Sequence, residues 1–425
     1  MADAKQAMNY EIYIQPHLLP EVRPRQDSAD PDEQFFIRTH QAFEIWFAQA
    51  LAELEHARTL LAQPAPDYVP ESDMPTIEQH VRRAAAIFDL VSAHLPLLET
   101  LKTTSFYNFR RSLFGASGTQ SYRFRELEWL MGLLDNDLLD YTRQKLDLEQ
   151  SLANPEKLDK SKDARHEKSN STQQSQAPDL PNPVEKEFDT LQKYQSNWNA
   201  RIDANRQLAP REFAGMAATR DALQRRLLDI QNNGSLREQV FQWLARSTFP
   251  GPNGARPATK HGELFAERYE KAYLSAHASD SQVLRALQGM DSAAIKRVNR
   301  EAQLRTTFFL DAPHRRAIVF LLQFSHLPLL AWPASLVEAL LALDQAFANW
   351  RDRHIAMVSR VLGGGRISTL GSAGSGLPYL RGTVAKRAFP EIWDARTFML
   401  SHEEAKDIYT ERELSSYRFV HEQPQ

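Results

Sequence analysis

The stretch QFFIRTHQAFEIWF, residues 34–47, decides the fold class, because its apolar side chains recur with the period of an α-helix. Phe36, His40, Phe43 and Phe47 are spaced four, three and four residues apart, which places them on one helix face. Three of them are large aromatic residues, which are expected in a core. The histidine is either a core residue bonded to a neighbour or the titratable partner of a polar group that enters the core.

Composition limits the class of protein. The chain has 425 residues, a formal net charge of −3, 42% hydrophobic residues and 25% charged residues, as expected of a globular protein. The lack of a basic excess argues against a nucleic-acid-binding protein, and the lack of cysteine excludes disulfides and thiolate metal sites. Because no apolar run of about 18 residues and no secretory signal pattern occur, we expect no membrane span and a cytoplasmic location.

Helical periodicity continues along most of the chain and predicts an all-α fold, a large helical bundle. Convincing alternating segments of the kind that form strands are scarce. The predicted helices cover residues 32–63, 76–102, 121–152, 184–206, 210–232, 235–247, 263–277, 292–305, 312–324 and the segment from Pro333 to about Leu362.

Residues 154–183 contain almost no large apolar side chains, so we predict a flexible polar insertion there. The chain is therefore expected to consist of an N-terminal arm (1–31), a first helical region (32–153), this insertion, and a second helical region (184–425).

The last long helix places a second histidine on an apolar face. That face consists of Leu343, Phe347, Trp350, His354, Met357, Val358 and Val361. Neither this helix nor the helix of His40 has the H-E-x-x-H spacing of a zinc helix, which disfavours a zinc site. One histidine on each side of a planar apolar cofactor would fit a haem, although purely structural histidines remain the alternative.

Five blocks of sequence in a fixed order carry a family resemblance. They are YEIYI (10–14), DEQFFIRTHQAFEIWF (32–47), the block from FRR through ASGTQS to FR (109–125), WRDRHIAMVSR (350–360) and the residues from Tyr379 to Trp393. In these blocks the sequence resembles the tryptophan 2,3-dioxygenase family of haem-dependent dioxygenases. The resemblance spans most of the chain outside residues 154–183.

The resemblance implies a haem b cofactor whose iron is bound axially by His354. Trp350 and Val358, on the same helix, are the other cofactor-binding residues that we predict. His40 corresponds to the family's distal histidine, which faces the indole nitrogen of the substrate and is the predicted catalytic residue. The second ring nitrogen of His354 is expected to donate a hydrogen bond that fixes the ring.

The resemblance also implies the substrate contacts. Phe36 and Phe106 match aromatic positions beside the indole, and Arg110 matches the arginine that holds the substrate carboxylate, a role that its planar fork suits. Tyr10 and Tyr13 match an arm that reaches the pocket of a neighbouring subunit. A symmetric homo-oligomer, a tetramer by resemblance, is therefore expected.

The implied reaction inserts O₂ across the indole C2–C3 bond of L-tryptophan and gives N-formylkynurenine. Two alternatives stay open: a haem-dependent mono-oxygenase of a modified tryptophan or another aromatic amino acid, and a non-catalytic haem-binding sensor. The loop 363–376 departs from the family's G-T-G-G-S-S-G, because Gly371 occupies the position of its substrate-binding threonine. Ser372 or Thr369 would have to replace that hydroxyl, so the exact substrate is open.

Overall fold

The computed structural model describes residues 30–62, 69–110, 121–133, 258–278 and 292–363, and most of 222–246 and 384–418. These described residues form twelve α-helices and no strand, so the prediction of an all-α fold is confirmed. The helices are α1 Pro31–Leu61, α2 Met74–Leu98, α3 Thr103–Arg110, α4 Tyr122–Leu130, α5 Leu236–Arg246, α6 Ala258–Ala278, α7 Ser292–Asp311, α8 Pro313–Gln323, α9 Ala331–Leu362, α10 Pro390–Ala395, α11 His402–Ile408 and α12 Glu411–Ser415. Short 3₁₀ turns cover Glu71–Asp73, Pro328–Leu330 and Arg396–Phe398.

Helices α1 and α2 form an antiparallel hairpin. His80, near the start of α2, binds Glu53 in the second half of α1, whereas His94, near the end of α2, contacts the ring of Phe43. The two apolar faces meet between these points, where the rings of Phe47 and Phe88 lie 6.5 Å apart. Burial of these faces stabilises the hairpin far more than helix propensity could.

Helix α9 lies parallel to α2 and completes the centre of the bundle. Ser335, near its start, donates to Glu78 at 2.6 Å, and Arg360, near its end, lies 3.4 Å from Glu99. Since α1 is antiparallel to α2, it is antiparallel to α9 as well. The beginning of α1 and the end of α9, which carry the two histidines of interest, therefore lie at the same end of the bundle.

The helix predicted over residues 121–152 is wrong as a single element, because α4 ends at Leu130. Gly132 adopts a φ of 83°, a conformation that suits glycine and terminates a helix. Two hydrogen bonds close this end: Leu133 N donates to Glu128 O at 2.8 Å, and Gly132 N donates to Trp129 O at 3.0 Å. The sequence signal was the single glycine after an otherwise strongly helical run.

The remaining helix predictions agree with the described residues to within a few positions, except that α7 continues beyond residue 305 to Asp311. Several predictions lie outside the described residues: the arm before residue 30, the segment 134–152, the insertion 154–183, the helix over 184–206 and the first half of the helix over 210–232.

Helix α9 is held by buried charges. Arg351 Nη2 donates to Glu128 Oε1 of α4 at 2.6 Å, and both side chains are 5% exposed. Asp344 accepts two hydrogen bonds of 2.7 Å, from Ala388 N and from Trp393 Nε1. These contacts fasten α9 to α4 on one side and to the segment around α10 on the other, so the register of the residues between them is fixed.

Of the described helices, α9 with its preceding turn (Pro328–Leu362) is the single one long and apolar enough to span a membrane alone. Helices α2 and α3 meet the same criterion only as a pair bent by 95°. More than half of the apolar window of α9 is buried inside the fold, and the segment carries Asp344 and Arg351 in paired form. We therefore describe α9 as a core helix.

A buried carboxyl group on α4 makes stability depend on pH. Burial raises the pKa of Glu126 from its usual 4.5 to about 7, although the positive charges of Arg123 and Arg225 oppose this. The native protein thus keeps a proton that the unfolded chain releases, and the free energy of unfolding falls as the pH rises from 4.5 through 7. The contribution of Glu126 to the free energy of unfolding is fully present below pH 4.5.

The variant Glu126→Gln tests this, because glutamine imitates the protonated form at every pH. We expect the midpoint of thermal unfolding of the variant, relative to the parent, to rise progressively between pH 5 and pH 8. A difference in the midpoint that is the same at every pH reflects loss of the ion pair between Glu126 and Arg226, in which Oε1 and Nε are 3.5 Å apart. A difference that does not change with pH would contradict the shifted pKa.

Candidate active site

Helix α1 positions the first histidine. Asp30 caps the helix by accepting a hydrogen bond of 2.9 Å from Asp32 N, and Pro31 occupies the first turn, where its missing N–H costs nothing. This start fixes the register of α1, and Phe36 and His40 follow on its inward face. Their ring centres are 4.1 Å apart.

His40 is locked in one tautomer. Its Nδ1 lies 2.8 Å from the carbonyl oxygen of Phe36, and because a carbonyl only accepts, Nδ1 carries the proton. Burial lowers the pKa of His40, although the Phe36 carbonyl partly opposes this. At neutral pH the ring is therefore uncharged, and its Nε2 has a free lone pair that can accept a hydrogen bond from a ligand.

A cluster of aromatic side chains surrounds His40. The ring of Phe36 lies 5.8 Å from that of Phe106 and 5.5 Å from that of Phe109, so α1 and α3 meet at this point. Phe43 contacts His40 edge-on at 5.8 Å. Arg110 is the last residue of α3 and comes one helical turn after Phe106. Such a surface suits the flat face of an aromatic ligand.

His354 lies about two turns before the end of the apolar face of α9. Burial, followed by the nearby His40, lowers its pKa to about 4, so the ring is neutral at physiological pH. Most of the ring is enclosed by protein, and part of its surface stays accessible. It makes no hydrogen bond to any described residue, so the predicted fixing bond is not found there.

The indole of Trp350, one turn earlier on α9, stacks on His354 instead. The two rings are 5.2 Å apart and inclined by only 4°. The indole N–H of Trp350 is buried and finds no hydrogen-bond partner among the described residues. Val358, one turn after His354, is half-buried against the core.

Ring contacts connect the two histidines. The path leads from Phe43 to Phe47 at 6.4 Å, then to Trp350 at 5.6 Å, and on to His354. His40 lies close enough to His354 to lower its pKa, so the two imidazoles are within electrostatic reach of each other in one apolar interior.

The residues present fit a haem. The neutral imidazole of His354, with no hydrogen-bond partner among the described residues, would be available to bind the haem iron, and the iron would not compete with a proton there. The buried N–H of Trp350 is a donor without a described acceptor, as expected beside a polar group that is absent from the chain itself. Within the described residues no three His, Asp or Glu side chains are grouped to hold a bare metal ion.

One residue of the site was not predicted from the sequence, and several predicted site residues lie outside the described part of the chain. Phe109 belongs to the same cluster of rings as Phe36, and the signal for it was its position beside Arg110 in the FRR block. The predicted substrate residues Tyr10, Tyr13, Gly371 and Ser372 lie outside the described residues.

The fold and this site define a helical protein whose aromatic interior holds two neutral histidines. Comparison with known proteins gives the class a name: the family model "Tryptophan 2,3-dioxygenase" matches residues 1–245 and 264–399. The chain therefore belongs to the tryptophan 2,3-dioxygenase family, a family of oxygenases.

Two of the relatives of this chain illustrate the similarity. The chain is 30% identical over 415 residues to tryptophan 2,3-dioxygenase 2 of Ralstonia nicotianae, with 92% of this chain and 91% of the relative covered. It is also 30% identical over 409 residues to tryptophan 2,3-dioxygenase of Sorangium cellulosum, covering 94% of this chain and 85% of that one.

Proposed function

We propose that the protein is a haem-dependent dioxygenase that inserts both atoms of O₂ across the C2–C3 bond of the indole ring of L-tryptophan. The product, N-formylkynurenine, contains both oxygen atoms, one in the formyl group and one in the ketone. The reaction therefore needs no external reductant. The observation that supports this most is the tautomer of His40, whose free Nε2 lies among the rings of Phe36 and Phe43.

In this proposal, His354 would hold the haem iron, and the haem would supply O₂ binding and activation. The chain itself binds and orients the substrate. Nε2 of His40 accepts a hydrogen bond from the indole N–H, and the rings of Phe36 and Phe106 exclude water from the indole faces. Arg110 pairs with the substrate carboxylate through two parallel hydrogen bonds. Together these contacts place the C2–C3 bond in one orientation, which is the main contribution a protein makes to cofactor chemistry.

Product identification tests the reaction. The ferrous protein should be incubated with L-tryptophan and ¹⁸O₂, and the products separated and weighed by mass spectrometry. We expect N-formylkynurenine with two labelled oxygen atoms. A hydroxylated product with one labelled oxygen, formed only with an added reductant, would instead support the mono-oxygenase alternative. Haem binding with no turnover of tryptophan or its analogues would support the sensor alternative.

The loop 363–376 should decide which aromatic amino acid is accepted. If Ser372 replaces the family's threonine, its hydroxyl bonds the substrate backbone, a contact worth roughly 1–3 kcal/mol in a water-poor site. The variant Ser372→Ala should then weaken L-tryptophan binding by about ten- to a hundredfold in a spectral titration of the ferrous protein.

Thr369→Ala tests the other candidate. This variant should bind L-tryptophan like the parent if Ser372 supplies the hydroxyl, and should be the weakened variant if Thr369 supplies it. If both variants bind L-tryptophan normally, the loop supplies no hydroxyl. Tight binding of a methylated or hydroxylated analogue, with negligible tryptophan turnover, would then identify that analogue as the substrate class.

The proposed arm predicts an oligomer. Removal of residues 1–16, which include Tyr10 and Tyr13, should lower turnover more than haem content, because the arm is proposed to complete the pocket of a neighbouring subunit. Light scattering of the full chain should show a tetramer. A fully active monomer, or an arm deletion without effect on turnover, would contradict this arrangement.

A further inference from the structure

The second half of α2 has an apolar face that lies open to solvent. The residues of this face recur at steps of four, three and four, which places them on one side of the helix. They are Ala86, Leu90, Ala93 and Leu97, which we call the Leu–Ala stripe. Leu90 is 37% exposed and Leu97 is 50% exposed, although the opposite side of the same helix is buried against α1 and α9. Contiguous apolar surface of this kind marks an interaction site.

The other two central helices have no comparable face within their described residues. The exposed residues of α1 include one large apolar side chain and are Pro31, Arg38, Ile45, Gln49, His56 and Thr59. Beside the stripe, the exposed residues of α9 are Asn349, Asp352, Arg353 and Ala356. Single exposed apolar residues are ordinary on a protein surface, whereas a row of them is not. The Leu–Ala stripe therefore differs from the solvent-facing sides of its neighbours.

Large and small residues alternate along the stripe. The two leucines are seven residues apart and so are the two alanines, which is the heptad spacing of paired helices. When a second α2 runs antiparallel about a twofold axis between residues 91 and 92, Ala86 faces Leu97 of the second copy, and Leu90 faces its Ala93. Every layer then joins one leucine to one alanine, so the packed volume is the same throughout. Parallel pairing would set leucine against leucine and alanine against alanine, and would leave gaps at the alanine layers.

From this pattern we infer that the Leu–Ala stripe is an interface between two copies of this chain, which pack antiparallel along α2. Exposed polar residues border the stripe at both ends, with Arg82 and Arg83 before it and Thr100 after it, as in the polar rim of an interface. The stripe spans about 17 Å of helix, which is short for a dimer held by this contact alone. It therefore fits one contact of a larger symmetric assembly, to which other surfaces contribute.

This interface does not depend on the proposed oxygenase function, since it involves neither the haem nor the substrate residues. The proposed arm, residues 1–16, is a different part of the chain, so the two contacts between copies can be removed separately. Disulfide crosslinking and mass, the two quantities that test the interface, do not use turnover. A failed interface and a failed activity are therefore distinguishable.

Disulfide crosslinking tests the antiparallel register. The chain has no cysteine, so introduced thiols are the only ones present. In the haem-loaded full-length protein, the double variant Ala86→Cys/Leu97→Cys should form a covalent dimer when oxidised glutathione is added, because each thiol faces its counterpart on the second copy. Each single variant should stay uncrosslinked, since antiparallel pairing separates the two copies of one position by about 17 Å along the helices. The same separation along one helix prevents a disulfide within one chain.

The matched control is Ile45→Cys/His56→Cys. Its two exposed positions are also eleven residues apart on one helix, α1, but they belong to no apolar stripe. This control should give no covalent dimer, which excludes crosslinking by random collision. Covalent dimers of either single stripe variant would indicate a parallel pair and would overturn the proposal, as would a double stripe variant that does not crosslink.

Light scattering of a variant with charges in the stripe tests its contribution to assembly. Leu90→Asp/Leu97→Asp sets carboxylates against the alanines of the second copy, so we expect about half of the parental mass. Ile45→Asp charges an apolar residue of α1 that is 58% exposed, and it should keep the parental mass. Because all substituted side chains are exposed, circular dichroism should show the parental helix content in both variants.

The proposal is wrong if the charged stripe variant keeps the parental mass, or if the parent is a monomer. A parental mass combined with a lower midpoint of thermal unfolding would indicate that another segment of the same chain covers the stripe, and would overturn the contact between copies.

Discussion

The variant His354→Ala should be purified almost free of haem, whereas the parent should carry about one haem per chain and a strong Soret band. The imidazole of His354 is neutral and has no hydrogen-bond partner among the described residues. The chain has no cysteine that could replace it as a ligand of the iron. We therefore expect the variant to lose nearly all of its haem.

Two controls make this result specific. His40→Ala should keep the haem at the parent stoichiometry while impairing substrate binding or turnover, because His40 is proposed to contact the substrate and not the iron. In His354→Gly, added imidazole should restore haem binding by filling the space of the missing side chain. An unchanged Soret band and stoichiometry in His354→Ala would disprove the axial assignment.

The fold class and the centre of the site could be predicted from local sequence, because helical periodicity is a local property. The face formed by Phe36, His40, Phe43 and Phe47 packs as the spacing indicated, and α9 carries His354 on its apolar side. Both histidines reach the same interior because antiparallel α1 and α9 bring their opposite ends together.

Other features depend on contacts between distant residues and could not be read from periodicity. Glu128 and Arg351 are 223 positions apart, and nothing in either helix alone indicates that they pair in the core. The stacking of Trp350 on His354, in place of the expected hydrogen bond, depends on side-chain rotamers. The end of α4 at Leu130 was missed because one glycine outweighed strong helix formers on both sides.

The Arg110→Ala variant should show the largest loss of substrate affinity. The proposed role of Arg110 is a buried pair with the substrate carboxylate, and truncation of one partner of such a pair costs about 2–5 kcal/mol. This corresponds to a loss of about thirtyfold to a few thousandfold in L-tryptophan affinity. The position supports the role, since Arg110 ends α3 one turn after Phe106, whose ring contacts Phe36.

Spectral titration of the haem-loaded ferrous protein measures this loss, and three comparisons define its cause. Arg111→Ala removes the adjacent positive charge and should bind L-tryptophan like the parent, so a general charge effect is excluded. Arg110→Lys keeps the charge but loses the planar fork, so it should recover only part of the affinity.

Tryptamine, which has no carboxylate, identifies the group that Arg110 recognises. It should bind weakly to the parent and lose little more in Arg110→Ala, because the contact that the variant removes is already missing. The two changes should therefore be non-additive, as expected when they act on one interaction. If tryptamine and L-tryptophan bind the parent equally well, Arg110 does not hold the carboxylate and another residue must supply that contact.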